Sequence, residues 1–127
     1  MTARRFEYAV VERFGDAPHA EPEWTPEHFI LAGLARCTFK SLDFHAKRAG
    51  ISVSGTATVE GLVTRREEDG RYAFVHVDCQ LEIELEPEPA GERLDELLDL
   101  AERDCFVGAS LNPQPHYEWR VGGKRIR

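Results

Sequence analysis

The feature that most constrains this chain is one long helix whose two ends are both marked in the sequence. Thr25 stands in the N-cap position, Pro26 in the first helical position, and Glu27 puts an acid in the first turn. At the other end Lys47 and Arg48 occupy the last turn, and Gly50 suits the position just past the cap. The spacing predicts a helix over residues 26–49, about 36 Å long. That is long for a chain of 127 residues, which has room for a single domain, residues 1–127, around one core. Between Phe29 and Ala35 the helix is apolar on most sides. A polar stripe then opens at Arg36, Lys40, Asp43 and Lys47. The pattern predicts a central helix that is buried first and reaches water later.

The flanking segments read as strands and a second helix. Residues 5–14 are rich in β-formers and predict a first strand, followed by the proline-punctuated connection "GDAPHAEPEW". In residues 51–64, Ile51, Val53, Ala57, Val59 and Val63 share one face against a polar other face. In residues 72–86, Ala73, Val75, Val77, Cys79, Leu81, Ile83 and Leu85 do the same. With Asp69-Gly70 in the turn between them, the two segments predict a long amphipathic hairpin with one wet face. "EPEPAG" breaks the chain, and a helix from Glu92 to Asp104 follows, striped by Leu94, Leu97, Leu98 and Ala101. The last strand is "HYEWRV". The order β, long α, β-hairpin, α, β is that of an α+β domain.

Charge and composition exclude several function classes. A formal net charge of -7 and no basic run beyond "GGKRIR" argue against nucleic-acid binding, which needs a basic face. No apolar run follows "MTARRFEYAV" as a secretory signal requires, and "FILAGLA" is too short to span a bilayer. The expectation is a cytoplasmic protein with no membrane contact and reduced thiols. Its five histidines are scattered without i, i+4 pairing, so no metal is expected.

The three cysteines are Cys37, Cys79 and Cys105, with no CxxC pair. Cys79 lies among valines and leucines on the apolar side of its strand and reads as an inert core thiol. Cys105 stands where the apolar stripe of the second helix meets a glycine-containing turn, and taken alone it also reads as structural. Cys37 is open between two readings. It could be packed in the core, or it could be a nucleophile given space by Gly33 one turn earlier. It lies too far into the helix for the N-terminal dipole to activate it, so a cation would have to, with Arg36 and Lys40 the local candidates. His45 cannot pair with it, since eight residues of helix separate them by about 12 Å.

Two motifs then converge. "WTPEHFILAGLARCTF", with Cys37 ten residues after Glu27, and "LAERDCFVGASL" around Cys105 resemble the OsmC/Ohr family of osmotically inducible and organic-hydroperoxide-resistance proteins. The resemblance implies the OsmC-like fold: a long central helix packed with an antiparallel β-sheet, in an intertwined homodimer with active sites at the subunit interface. It implies a thiol-dependent peroxidase acting on organic hydroperoxides, without cofactor, in an antioxidant stress response. Cys37 would attack the O–O bond and become a sulfenic acid, Cys105 would resolve it to a disulfide, and a dithiol reductant would restore both.

The family also places a glutamate and an arginine beside the reactive sulfur. Glu27 matches the glutamate. About 15 Å of helix separates it from Cys37, so it could serve that sulfur only from a second subunit. The arginine is assigned to Arg13, with Arg4 and Arg5 as rivals. The chain departs from the family in a shortened N-terminal part and in Cys105-Phe106 where Cys-Pro is usual. The competing expectations are a non-peroxidase thiol protein and a small-ligand-binding module on the same fold.

Overall fold

The structure, a computed structural model, describes residues 2–127. Its elements run β1 (Phe6–Arg13), α1 (Pro26–Arg48), β2 (Ser52–Arg65), β3 (Tyr72–Glu86), α2 (Glu92–Arg103), α3 (Phe106–Ser110), β4 (His116–Val121) and β5 (Lys124–Arg125).

Helix α1 starts and stops where its end signals stand. Thr25 is an extended N-cap. The Nδ1 of His28 accepts its backbone N–H at 2.9 Å, the part a glutamate or glutamine plays in a capping box. After Arg48 the chain turns through Ala49, and Gly50 takes the left-handed φ of +73° that a side chain would oppose. Leu31, Leu34, Ala35, Phe39, Leu42 and Ala46 are buried along one side of the helix. That stripe lies against the sheet, and the helix is central as expected.

The five strands form one sheet in the order β1-β2-β3-β4-β5. The predicted hairpin is β2–β3, antiparallel from Ser52 opposite Glu86 to Arg65 opposite Tyr72. The strict alternation expected for residues 72–86 fails at one point. Leu62 pairs with His76 and Val63 with Phe74, so Val75 is an extra residue and the ladder shifts. Beyond this bulge the inward side changes, and Phe74, rather than Ala73 or Val75, packs on the core. Its ring meets Leu31 in the space that Gly61 leaves without a side chain.

The sheet is antiparallel except for one pair. β4 runs parallel to β3, with Cys79 opposite Tyr117 and Leu81 opposite Trp119. The chain leaves β3, crosses over through α2 and α3, and returns in the same direction, which makes the pairing parallel. Trp119 on β4 is fully buried, and its Nε1 donates to Glu102 of α2 at 2.8 Å, fastening the crossover to the sheet. Two short elements were not expected from the sequence, α3 and β5. The second forms because Gly122 and Gly123 both take positive φ and fold the tail back on β4. Among the described residues no helix is long and apolar enough to cross a membrane.

Candidate active site

Helix α2 buries Leu94, Leu97, Leu98 and Ala101, and Cys105 follows on the same stripe. Its sulfur is fully buried at the junction with α3. The Sγ of Cys105 accepts the Gly108 N–H at 3.4 Å and lies 3.4 Å from the Oγ1 of Thr38 on α1. Cys37 precedes Thr38 and is the one part-exposed thiol of the three. Its Sγ accepts the backbone N–H of Val107 at 3.5 Å. One residue step on α1 thus puts Cys37 at the surface of the α1–α3 contact and Thr38 beneath it, beside Cys105.

Cys37 opens into a cleft of about 430 Å³ shared with Lys40, Ser41, Phe44, His45, Asp104, Phe106 and Val107. Phe44 and Phe106 are exposed and make its mouth apolar. At its far end the Nε2 of His45 meets the Oδ2 of Asp104 at 2.7 Å. The carboxyl of Asp104 is held below its ordinary value by hydrogen bonds from Arg103 and then His45. Ser41 is buried, and its hydroxyl has no hydrogen-bond partner.

Burial pushes the Cys37 thiol up. The Val107 N–H opposes the rise and the neighbouring Cys105 adds to it. Lys40 lines the same cleft but does not offset the burial, so a single chain supplies the cleft and the second sulfur and leaves the thiol raised. Cys79 is fully buried on β3, where desolvation pushes its thiol up to about 12. Such a group stays protonated through the neutral range. Its contribution to folding is complete below the free-thiol value and falls as pH rises toward 12. Iodoacetamide at pH 8 is expected to label Cys37 and to leave Cys79 unlabelled until the chain is unfolded, as read by peptide mass mapping with and without denaturant. Labelling of Cys79 in the folded protein would contradict this burial.

Of the four residues expected at the site, the chain brings together Cys37 and Cys105 and leaves the other two outside. Glu27 lies half-buried in the first turn of α1, and Arg13 lies on the outward register of β1 with Glu7, Ala9 and Val11. Neither lines the cleft. Arg36 engages a buried carboxylate; it stands beside Cys37 in sequence but about 100° away around the helix. Its Nε donates to the Oε1 of Glu12 at 2.6 Å, and its two Nη groups donate to the carbonyls of Asp16 and Ala17, each at 2.9 Å. Glu12 is almost fully buried, with the Nε2 of His19 at 3.5 Å on its other oxygen. Arg36 was expected either to activate Cys37 or to face water; its side chain is 31% exposed, and its guanidinium is taken up by Glu12 and the two carbonyls. The pair was legible in principle: Phe6, Tyr8, Val10 and Glu12 alternate, which puts a carboxylate in an inward register that demands a cation. Among the described residues no cluster is placed to hold a metal ion.

Comparison with known proteins adds the family. The chain has the fold of an OsmC-like protein from Mycoplasma pneumoniae, at 20% identity over 93% of this chain and 95% of that one, with a TM-score of 0.62. It also resembles an OsmC-like protein of unknown function from Vibrio cholerae, at 19% identity and a TM-score of 0.58 over 75% of this chain, and spans 63% of that protein's length. An organic hydroperoxide resistance protein OsmC from Legionella pneumophila aligns at 15% identity over 90% of this chain and 96% of that one, with a TM-score of 0.54. No curated protein matches by sequence. The profile described as "OsmC-like protein" matches residues 18–120, which include both cysteine motifs and most of the elements around them, and the chain belongs to that family.

Proposed function

We propose that this protein reduces organic hydroperoxides at Cys37, with Cys105 as the resolving thiol and a dithiol as reductant. The observation that carries the reading is the pairing of a part-exposed thiol on an apolar cleft with a buried thiol directly behind it, next to the backbone N–H that Cys37 accepts. The cleft fits a hydrocarbon hydroperoxide, and the burial of Cys105 leaves Cys37 as the sulfur that meets the peroxide.

The protein works as a homodimer in this reading. Phe29 and Ile30 on α1 are 53% and 42% exposed, and Phe44 and Phe106 at the cleft mouth are 58% and 79% exposed. Apolar surface of this kind is characteristic of interfaces. A second copy would cover it, and would bring Glu27 and Arg13 to a thiol that cannot reach its own. The missing cation is then intermolecular, and a guanidinium there stabilises the thiolate and the charge on the departing oxygen.

The raised Cys37 thiol favours a second reading, a small-ligand module in which that sulfur only packs. Intact-mass analysis after stoichiometric cumene hydroperoxide, with peptide mapping, separates the two. A rapid Cys37–Cys105 disulfide is the expected result. Three unreacted thiols would retain the fold and remove the peroxidase.

A further inference from the structure

Buried hydroxyls are normally hydrogen-bonded, because one left unpartnered has lost its water and gained nothing in return. The Oη of Tyr117 is buried and has no partner. It reaches the back of Cys105: the space where Gly108 lacks a side chain is bounded by Tyr117 Oη and Cys105 Sγ, and any side chain at position 108 would strike that hydroxyl. Tyr117 is placed there by the parallel β3–β4 register, which sets it opposite Cys79. Burial, and then the proximity of Cys105, push its phenol up, so it remains an O–H donor. The Gly108 N–H donates to the same sulfur at 3.4 Å, while the Thr38 Oγ1, also 3.4 Å away, gives its hydrogen to the Leu34 carbonyl and accepts from the Cys105 thiol. The other titratable groups facing Cys105 are Cys37 on α1 and Cys79 on β3.

We propose that Tyr117 is a catalytic residue that, with the Gly108 N–H, forms a two-donor cradle for the Cys105 thiolate. The disulfide state this requires rests on the pairing of Cys37 with Cys105 given above. In the closing step the Cys105 thiolate attacks Cys37–SOH, the S–S bond forms, and hydroxide leaves and takes a proton to become water. In the opening step a thiolate of the dithiol reductant attacks the accessible Cys37 sulfur. The Cys37–Cys105 bond breaks, and Cys105 departs with the electron pair into the cradle. The reductant's second thiol then closes on its own mixed-disulfide sulfur and frees Cys37. In both steps the negative charge sits on Cys105, which the Gly108 N–H already faces and beside which the Tyr117 hydroxyl is free to turn. The unpartnered Oη in the thiol state is the resting form of that arrangement.

The test is Tyr117→Phe in a Cys79→Ser background. The disulfide is formed with diamide, so that no peroxide chemistry is involved, and its reduction by dithiothreitol is followed by quenched mass analysis. Loss of a hydrogen bond to a charged group predicts reduction slower by roughly tenfold or more. Labelling of Cys37 by iodoacetamide is expected to be unchanged in the reduced protein, and thermal stability equal or higher, because an unpaired buried hydroxyl has been removed. A purely structural role for Tyr117 would instead lower stability and leave the reduction rate alone. Equal reduction rates with and without the hydroxyl overturn the inference, as does failure of diamide to join Cys37 to Cys105. A tenfold effect in a protein that consumes no hydroperoxide would uphold the cradle and remove only the peroxidase reading.

Discussion

Cys37→Ser is expected to abolish hydroperoxide consumption, while Cys105→Ser allows one turnover and then stalls. The asymmetry follows from where the two sulfurs sit. Cys37 lines the cleft, and Cys105 is fully buried behind it. A serine at 37 leaves nothing at the cleft surface that can attack the O–O bond, and Cys105 cannot replace it without the α1–α3 contact opening. A serine at 105 leaves the first attack intact, so Cys37–SOH forms and persists. With no thiol behind it, excess peroxide carries it to the sulfinic acid. The measurements are peroxide consumption with a dithiol for Cys37→Ser and, with reductant left out, intact mass of each variant after stoichiometric and then excess peroxide. One added oxygen, then two, is expected on Cys105→Ser, and none on Cys37→Ser. Full turnover by Cys37→Ser would refute the assignment of roles.

Arg36→Ala is expected to cost about 3–5 kcal/mol of folding stability, the range seen when one partner of a buried ion pair is removed. That is a large part of the 5–15 kcal/mol, roughly, that holds a domain of this size together. The side chain of Glu12 is fully buried, and Arg36 is the close cation on it at 2.6 Å. His19, at 3.5 Å and 41% exposed, is a weaker substitute. The same arginine ties the carbonyls of Asp16 and Ala17, so its loss also frees the connection from β1 to α1. Chemical denaturation of Arg36→Ala and of the double variant Glu12→Leu/Arg36→Leu tests the cause. The double variant should recover much of the loss, because it leaves no unpaired buried charge. If both variants lose the same amount, the cost lies in the connection and not in the carboxylate.

Much of the architecture was legible from local rules. The cap and stop signals of α1 are side-chain chemistry at fixed positions, and they placed the helix to within a residue. The β2–β3 hairpin and the α2 stripe were legible because one face of each is buried and periodicity records that. The bulge at Val75 was not, because the sequence alternates through it. Only the fit of Phe74 over Gly61 and Leu31 shows where the ladder shifts.

At the site the division is sharper. The interval from Glu27 to Cys37 and the motif around Cys105 are linear patterns, and they identified the family and pointed to the two thiols. Arg36 was misjudged because its stripe on α1 looks solvated until β1 is laid beside it and Glu12 turns inward. Tyr117 was invisible as a functional residue, since its meeting with Cys105 depends on the parallel register of β4 against β3. By itself the sequence determined the main elements, the α+β order and the family, because caps, periodicity and motif spacing act over a few residues along the chain. The tertiary structure alone decided which cation meets which carboxylate and which hydroxyl stands behind Cys105. Those depend on strand register and crossover direction, which bring together groups far apart in the chain and which no local pattern encodes.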